Sequence, residues 1–408
     1  MTISRRAVTA WLLASGAAAC AGGGGAPVAQ ASMRPVPNAR YDAWLAGFRG
    51  RAVAQGIPST TVDRALGSAG YLPDVVERDR NQTEFTRTLE DYLAIAASDE
   101  RIAKGRAGAA RHGATLSAIE ARFGVPANIV TAIWGLESMY GERRGDIPVV
   151  ASTSTLAFDG RRGAFFEGQL LAALRILERG DTTPGRMVGS WAGAMGHTQF
   201  IPTSYLAYAV DFTGDGRADI WSDDPTDALA STAAYLQRSG WQAGQPWGME
   251  ARLPGGFPTG AAGRGNRRDA GAWNAMGVTR ADGRPLPAGS AAILIPAGPA
   301  GPAFAVYRNF DVILRYNNAE NYAIGVGHLS DRIAGGGPLR AGFPPDAAGL
   351  TIEDRKELQR RLTAAGFDTG GADGVIGSRT TAAISAYQQR AGLPVTGQPS
   401  RELLLSLR

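Results

Sequence analysis

The clearest apolar pattern in the chain lies between Pro126 and Gly141. Ala127 to Ser138 is long enough for about three helical turns. Pro126 suits the first helical position and Gly141 suits the stop. Ile129, Ile133 and Glu137 fall at i, i+4 and i+8, so a carboxylate continues an apolar row. The pattern predicts a buried helix that carries one acid. Upstream, residues 41–102 read as helical. Tyr41, Trp44, Leu45 and Phe48 open this stretch, Gly56-Ile57-Pro58 interrupts it, and Ser59 or Thr60 is placed to cap a helix over 62–67. Residues 84–97 carry Phe85, Leu89, Tyr92 and Leu93 at helical spacing, and 117–123 lead into the Glu137 helix. Residues 165–177 place Phe166, Leu170, Leu174 and Leu177 on one face.

Beyond residue 228 the pattern changes more often. Residues 228–238 are helical, whereas 244–303 are rich in Gly, Pro and Arg and read as loops. The exception is a small hairpin, residues 292–295 against 304–307. Helical patterns return over 310–317 and 321–329. Gly335-Gly336-Gly337-Pro338 and Pro344-Pro345 mark a linker over 335–349. The tail, 350–408, has helical patterns over 354–365, 380–391 and 403–407, with Gly371-Ala372-Asp373-Gly374-Val375-Ile376-Gly377 between the first two. These elements describe a mainly α (α+β) chain with one small β region and a short helical tail domain.

At 408 residues the chain can hold two folded units. Its net charge of +5 favours polyanionic partners in general but specifies neither fold nor substrate. No zinc-finger or RNP motif and no basic run with interleaved aromatics appears, so nucleic acid is not an expected partner. His112, His197 and His328 lack metal-ligand spacing, and Cys20 is the one cysteine, which argues against zinc and cysteine enzymes. Neither a Gly-x-Ser-x-Gly elbow nor a phosphate loop with Lys is present. Carboxylate chemistry remains. Burial disfavours a charged carboxylate, and enzymes use this to keep a Glu protonated as a general acid near neutral pH. The alternative for Glu137 is structural, a hydrogen bond to a neighbouring turn or a salt bridge to Arg143 or Arg144.

The first 31 residues read as an export signal, with Arg5 and Arg6 before a short apolar stretch over 7–19. Cys20 follows Ala17-Ala18-Ala19 and precedes the glycine run 22–25, an arrangement that resembles a lipoprotein processing site. Lipid on Cys20 would anchor the chain to a membrane face through a glycine tether. Cleavage after Ala31 is the alternative, and would leave no cysteine in the mature chain.

Two further stretches carry candidate chemistry. Residues 187–205 contain no formally charged side chain, and Ser190, Gln199 and the aromatics Trp191, Phe200 and Tyr205 offer neutral hydrogen bonds and stacking faces suited to sugars. Asp211-Phe212-Thr213-Gly214-Asp215-Gly216-Arg217-Ala218-Asp219 places oxygen side chains at positions 1, 3, 5 and 9 of an EF-hand-like loop with Gly at 6. Ser222 stands where the bidentate Glu belongs, so Asp224 or Asp227 would have to complete the shell.

Gly135-Leu136-Glu137-Ser138-Met139-Tyr140-Gly141, Ser190-Trp191-Ala192-Gly193-Ala194-Met195-Gly196 with Gln199-Phe200-Ile201-Pro202, the 211–221 loop, and Arg315-Tyr316-Asn317 together resemble the membrane-bound lytic murein transglycosylase B family over residues 40–332. The tail, through Leu358-Gln359, Asp373-Gly374, Gly377, Thr380-Thr381-Ala382, Tyr387-Gln388 and Gly392-Leu393, is similar to a three-helix type 1 peptidoglycan-binding domain. The resemblance divides the chain into an export signal (1–31), a lysozyme-like catalytic domain (33–334), a linker (335–349) and a peptidoglycan-binding domain (350–408). It implies cleavage of the β-1,4 bond between N-acetylmuramic acid and N-acetylglucosamine, with 1,6-anhydromuramic ends and Glu137 as single acid/base. It also implies that Ser190, Gln199, Phe200, Tyr235, Tyr316, Asn317, Tyr322, Tyr92 and Arg162 line the sugar groove. Asp211, Thr213, Asp215, the Arg217 carbonyl and Asp227 would hold a structural Ca²⁺ or Na⁺, no cofactor being needed for the chemistry. The chain departs from the family where His197-Thr198 replaces the usual Tyr-Gly before Gln199, and where the 221–227 segment is longer. The partners expected are peptidoglycan strands and, through a lipidated Cys20, a membrane; a monomer in the periplasm or cell envelope is expected, as an outer-membrane lipoprotein if lipidated. A muramidase using water, or a non-catalytic peptidoglycan-binding scaffold, are the alternatives.

Overall fold

The computed structural model describes residues 33–81 and 87–407, so the export-signal and Cys20 expectations, and Phe85 of the expected 84–97 helix, lie outside the described residues. The described residues form a mainly α chain with two small antiparallel sheets and two compact units, one from 33–81 and 103–243 and the other from 87–102 and 244–407.

In the first unit, helix Ala39–Ala54 starts at Asn38, whose side chain accepts from Arg40 N and Tyr41 N at 3.1 Å each. The expected Ser or Thr cap of the next helix is not used. Helix Ser59–Leu66 begins directly after Pro58, and no side chain caps it. Helices Gly113–Phe123, Val149–Asp159 and Gly163–Arg179 each stop on a left-handed glycine, Gly124, Gly160 and Gly180, where a residue with a Cβ would be strained. Strand Ile147–Pro148 pairs antiparallel with Val188–Gly189 and pins the start of Val149–Asp159. Leu72, Val75, Ala151, Leu156, Phe166 and Trp191 form a buried cluster beneath these helices. Each large apolar side chain so buried contributes about 1.5–3 kcal/mol.

In the second unit, the segment read from sequence as loops holds a five-stranded antiparallel sheet in the order Arg268–Asp269, Ser290–Leu294, Ala303–Val306, Gly248–Arg252, Thr279–Arg280. The expected hairpin is its centre, with Ile293 opposite Ala305. Trp273 lies fully buried against this sheet and donates its Nε1–H to Ala291 O at 2.9 Å. Two glycines of helix Glu320–Ile333 act as seats for aromatic rings. A Cβ on Gly325 would lie 2.6 Å from Tyr92, and one on Gly327 would lie 2.2 Å from Trp247. The helix that carries Tyr92 is Leu89–Ala96.

The tail has its own core. Helix Ile352–Ala364 opens with a Thr351–Asp354 capping box, and Leu358, Leu362, Ile384, Leu403 and Leu404 meet helices Ser378–Arg390 and Arg401–Ser406 in one cluster. The 335–349 connection is a fixed strap rather than a slack one. Arg340 N and Ala341 N donate to the Glu250 carboxylate at 2.7–3.0 Å, and Asp346 accepts from Ala348 N and Leu350 N at 2.9 Å each. Arg355, with its side chain 4% exposed, then gathers Glu90 at 2.6 Å, Asp91 at 3.0 Å and Asp346 at 2.9 Å.

Candidate active site

The acid-bearing helix Ala127–Ser138 is buried along most of its length, and Ile129, Ile133 and Glu137 form the expected row, with Glu137 8% exposed. Pro126 stands one position earlier than expected, at the N-cap, and the Glu120 carboxylate accepts from Ala127 N at 2.9 Å to cover the helix start. The stop also differs. Met139 and Tyr140 take left-handed backbone at φ 52° and 60°, two residues before the expected Gly141. This conformation costs a residue with a Cβ on the order of 1 kcal/mol or more. Tertiary packing holds it: the Tyr140 ring lies over Gly135, where a Cβ would come within 2.5 Å of Tyr140 Oη, and meets Trp134 edge-on at 5.5 Å. Among the described residues, the left-handed non-glycine positions are Met139, Tyr140 and Gln199. All three flank Glu137 or belong to the uncharged stretch named from sequence, and strain of this kind gathers at sites that need a fixed geometry.

That uncharged stretch folds into nested turns. Ser190 N donates to Ala194 O and Ser190 Oγ accepts from Ala194 N, while Met195 and Phe200 exchange both backbone bonds. Gln199 stands at the tip, and its Nε2 donates to Gly196 O at 2.9 Å and Arg144 O at 3.0 Å. The Phe200 ring meets Tyr235 at 6.1 Å, and Tyr235 meets Tyr208 at 4.5 Å. The Arg162 guanidinium stacks on Phe165 at 4.3 Å, and burial holds its pKa below the usual value.

Of the structural alternatives for Glu137, the salt bridge to Arg144 is not the arrangement found here. The Arg144 guanidinium donates to Trp221 O, Ser222 O and Asp223 instead. His197, a departure from the family pattern, is buried at the centre of this arrangement. It accepts from Trp134 Nε1 at 3.1 Å and bonds Ser222 O through Nε2 at 2.8 Å. Sequence reading gave no role to Trp134 or Tyr140, and named Arg144 only as a salt-bridge partner for Glu137 and His197 only as a departure from the family pattern. The signal for the last was a histidine inside an otherwise uncharged run.

Glu137, Ser190, Gln199, Phe200, Tyr235 and Arg162 belong to the first unit; Tyr92, Tyr316, Asn317 and Tyr322 belong to the second. Tyr316 and Asn317 close helix Arg308–Tyr316, and Tyr322 lies in the next helix. Asn317 is 2% exposed, yet neither its Nδ2 nor its Oδ1 has a hydrogen-bond partner. A buried amide left unpaired costs about 1–3 kcal/mol, which is understandable where a ligand supplies the partner.

The acidic loop is preorganised by its own backbone. Asp211 accepts from Gly214 N and Gly216 N at 2.6 and 2.8 Å, and Asp215 accepts from Arg217 N at 3.0 Å. Asp227, 3% exposed, takes Phe212 N and Thr213 N on one oxygen and Asp219 N on the other. These all-oxygen donors suit a hard cation in kind. Among the described residues no group of three or more His, Cys, Asp and Glu side chains converges closely enough to hold a metal. A cation here would have to draw Asp227 from its N–H donors. Asp224 instead caps Thr226 at 3.0 Å.

A helical domain with one buried glutamate beside an uncharged turn-rich wall, followed by a small helical domain with a separate core, defines a glycan-directed protein of the lysozyme-like class. The comparisons with known proteins agree with this. The model of the Transglycosylase SLT domain matches residues 40–331, and that of a peptidoglycan binding domain matches residues 351–407. The chain belongs to the transglycosylase SLT domain family. It is 33% identical over 225 residues to the membrane-bound lytic murein transglycosylase B of Escherichia coli K12, a match covering 52% of this chain and 58% of that relative's length. The crystal structure of SltB3 from Pseudomonas aeruginosa, in complex with NAG-NAM-pentapeptide, matches with 49% identity and a TM-score of 0.74, over 91% of this chain and 100% of that one. Escherichia coli Slt35 in complex with calcium matches with 29% identity and a TM-score of 0.62, over 71% of this chain and 92% of that one.

Proposed function

We propose that the chain is a lytic murein transglycosylase that cleaves the β-1,4 bond between N-acetylmuramic acid and N-acetylglucosamine of peptidoglycan, leaving 1,6-anhydromuramic acid ends. The observation that carries this reading is Glu137, the one glutamate buried among the described residues, held on an apolar helix row beside a rigid uncharged wall. In the first half-reaction the protonated Glu137 gives its proton to the glycosidic oxygen, the C1–O4 bond breaks, and the muramic 2-acetamido group stabilises the developing cation. In the second, the Glu137 carboxylate takes the proton of the muramic C6 hydroxyl as O6 bonds to C1. Glu137 ends as it began, and no water enters the balance.

Ser190, Gln199, Phe200, Tyr235 and Arg162 are proposed as sugar-contacting residues, together with Tyr92, Tyr316, Asn317 and Tyr322. The strained Gln199 tip and the unpaired Asn317 amide support that assignment. Asp211, Thr213, Asp215, the Arg217 carbonyl and Asp227 are proposed to hold a structural Ca²⁺ or Na⁺; it would brace the loop, and no step of the reaction passes through it. Residence in the cell envelope follows from the substrate. The export signal, a lipid anchor on Cys20 and a monomeric state are further parts of the proposal.

The test is mass spectrometry of the soluble fragments released from purified sacculi, with Glu137→Gln alongside. Fragments one water lighter than hydrolysis products, absent from the Glu137→Gln digest, are expected. Reducing ends would make the protein a muramidase with a second base, and no release by folded protein would make it a binding scaffold.

A further inference from the structure

His197 touches the turn of Glu137 from three directions. Trp134, one turn before Glu137, donates Nε1–H to His197 Nδ1 at 3.1 Å. Ser138, the next residue, donates its hydroxyl to the His197 carbonyl at 2.5 Å. Gly141 presents its bare α-carbon to the ring, where a Cβ would lie 2.6 Å from Cε1 and Nδ1. On its far side the ring reaches Ser222 O through Nε2 at 2.8 Å.

These partners fix the tautomer. An indole N–H can only donate, so Nδ1 carries no proton; Nε2 carries it and donates to the Ser222 carbonyl. Arg144 Nη1, 3.3 Å from Nε2, is a second donor facing a donor, and its own bonds go to Ser222 O and Trp221 O. Arg144 and His112 oppose a charge on the ring, while Asp223 and Asp224 favour one. Burial is the largest influence and keeps the pKa below the usual histidine value. Protonating Nδ1 would set two N–H groups against each other and release Trp134.

We propose that His197 is a positioning residue for Glu137: its neutral Nε2–H ring ties the last turn of the acid's helix to the Ser222 carbonyl and fixes where the carboxyl sits. The inference rests on Glu137 as the acid/base. Misplacement of a catalytic group by about 1 Å costs up to about 100-fold in rate without comparable loss of binding.

Three variants separate the two bonds. His197→Asn keeps an acceptor near the Nδ1 position, His197→Gln keeps a donor near the Nε2 position, and His197→Phe keeps the ring alone. For His197→Phe we expect kcat to fall roughly 10- to 100-fold with KM within about threefold, with part of the loss recovered in one of the two polar variants. The acidic limb of the kcat–pH profile should be altered in His197→Phe. With three histidines in the chain, ¹⁵N NMR of the wild type should show one ring with Nε2 protonated and Nδ1 bare, whether or not any variant folds. A folded His197→Phe protein with wild-type kcat and an unchanged acidic limb would overturn the proposal, as would an imidazolium or Nδ1–H state of the His197 ring itself in the NMR. Glu137→Gln, run in parallel, isolates the underlying reading: activity there removes the acid/base assignment itself, whatever His197 does.

Discussion

Replacing Arg355 with Met should loosen the tail domain from the helix that carries Tyr92. The guanidinium is 4% exposed and lies within 3.0 Å of carboxylates that are 11% (Glu90), 24% (Asp91) and 25% (Asp346) exposed; its Nε also donates to Gly374 O at 2.7 Å. Removing one member of a buried ionic network costs about 3–5 kcal/mol, because the partners stay behind uncompensated. These carboxylates keep some contact with water, so the lower end, about 3 kcal/mol, is expected at neutral pH. The asymmetry is the sharper expectation. Three acids surround one cation, and burial already pushes the Glu90 pKa up. A raised carboxylate pKa means that the group's stabilising contribution is present at low pH and lost as pH rises through the folded value. Glu90→Gln should therefore change stability by less than about 1 kcal/mol at pH 7, and the Arg355→Met penalty should shrink as pH falls and Glu90, its pKa raised by burial, takes up a proton. Hydrogen exchange over residues 335–364 reports local release directly, and the double variant gives the coupling between the two sites. An Arg355→Met protein whose exchange and melting match wild type would refute the reasoning.

Asp227 offers a second test. Converting it to Asn turns one acceptor oxygen into a donor facing backbone N–H groups, and should cost about 2 kcal/mol in EDTA, read by thermal melting. In the wild type, Ca²⁺ should raise the melting temperature relative to EDTA, since a ligand of the folded state stabilises it; identical melting would remove the cation from the proposal. Asp331 predicts a pH effect. Burial raises its pKa to about 7, with Trp247 Nε1–H as a partly compensating donor. The sign follows: its contribution is complete below the ordinary aspartate value and is lost as pH rises toward 7. Asp331→Asn should flatten the decline in stability between about pH 4 and 7, and an unchanged slope would count against it.

The periodic parts of the chain were legible because packing follows pattern there. The Ile129–Ile133–Glu137 row, the 292–307 hairpin and the three tail helices lie where their spacing places them. Val149–Asp159 was not foreseen, since its run of Ser, Thr and Val reads against a helix. It forms because Ser152, Thr153 and Ser154 return their hydroxyls to Val149 O or Ala151 O, which lets polar residues be fully buried. The strands at 248–252, 268–269 and 279–280 are too short, and too mixed with Gly and Arg, to show an alternation. In the site, Glu137 was visible as a charge in an apolar row. His197 was not, because its role depends on Trp134 and Ser222, far away in sequence.

The strap between residues 335 and 349 also bears on how the tail can serve the rest of the chain. A slack tether multiplies local concentration but must surrender its freedom at every encounter with a polymer. Here Glu250 has already taken the Arg340 and Ala341 N–H groups, and Asp346 has taken those of Ala348 and Leu350. That entropy is lost once, during folding, and does not recur with each strand met. Portability is the corresponding sacrifice. A graft of the tail cut at residue 350 would leave Glu250, Glu90 and Asp91 behind, so the transplanted domain would arrive with Arg355 facing solvent and with no fixed direction to its host.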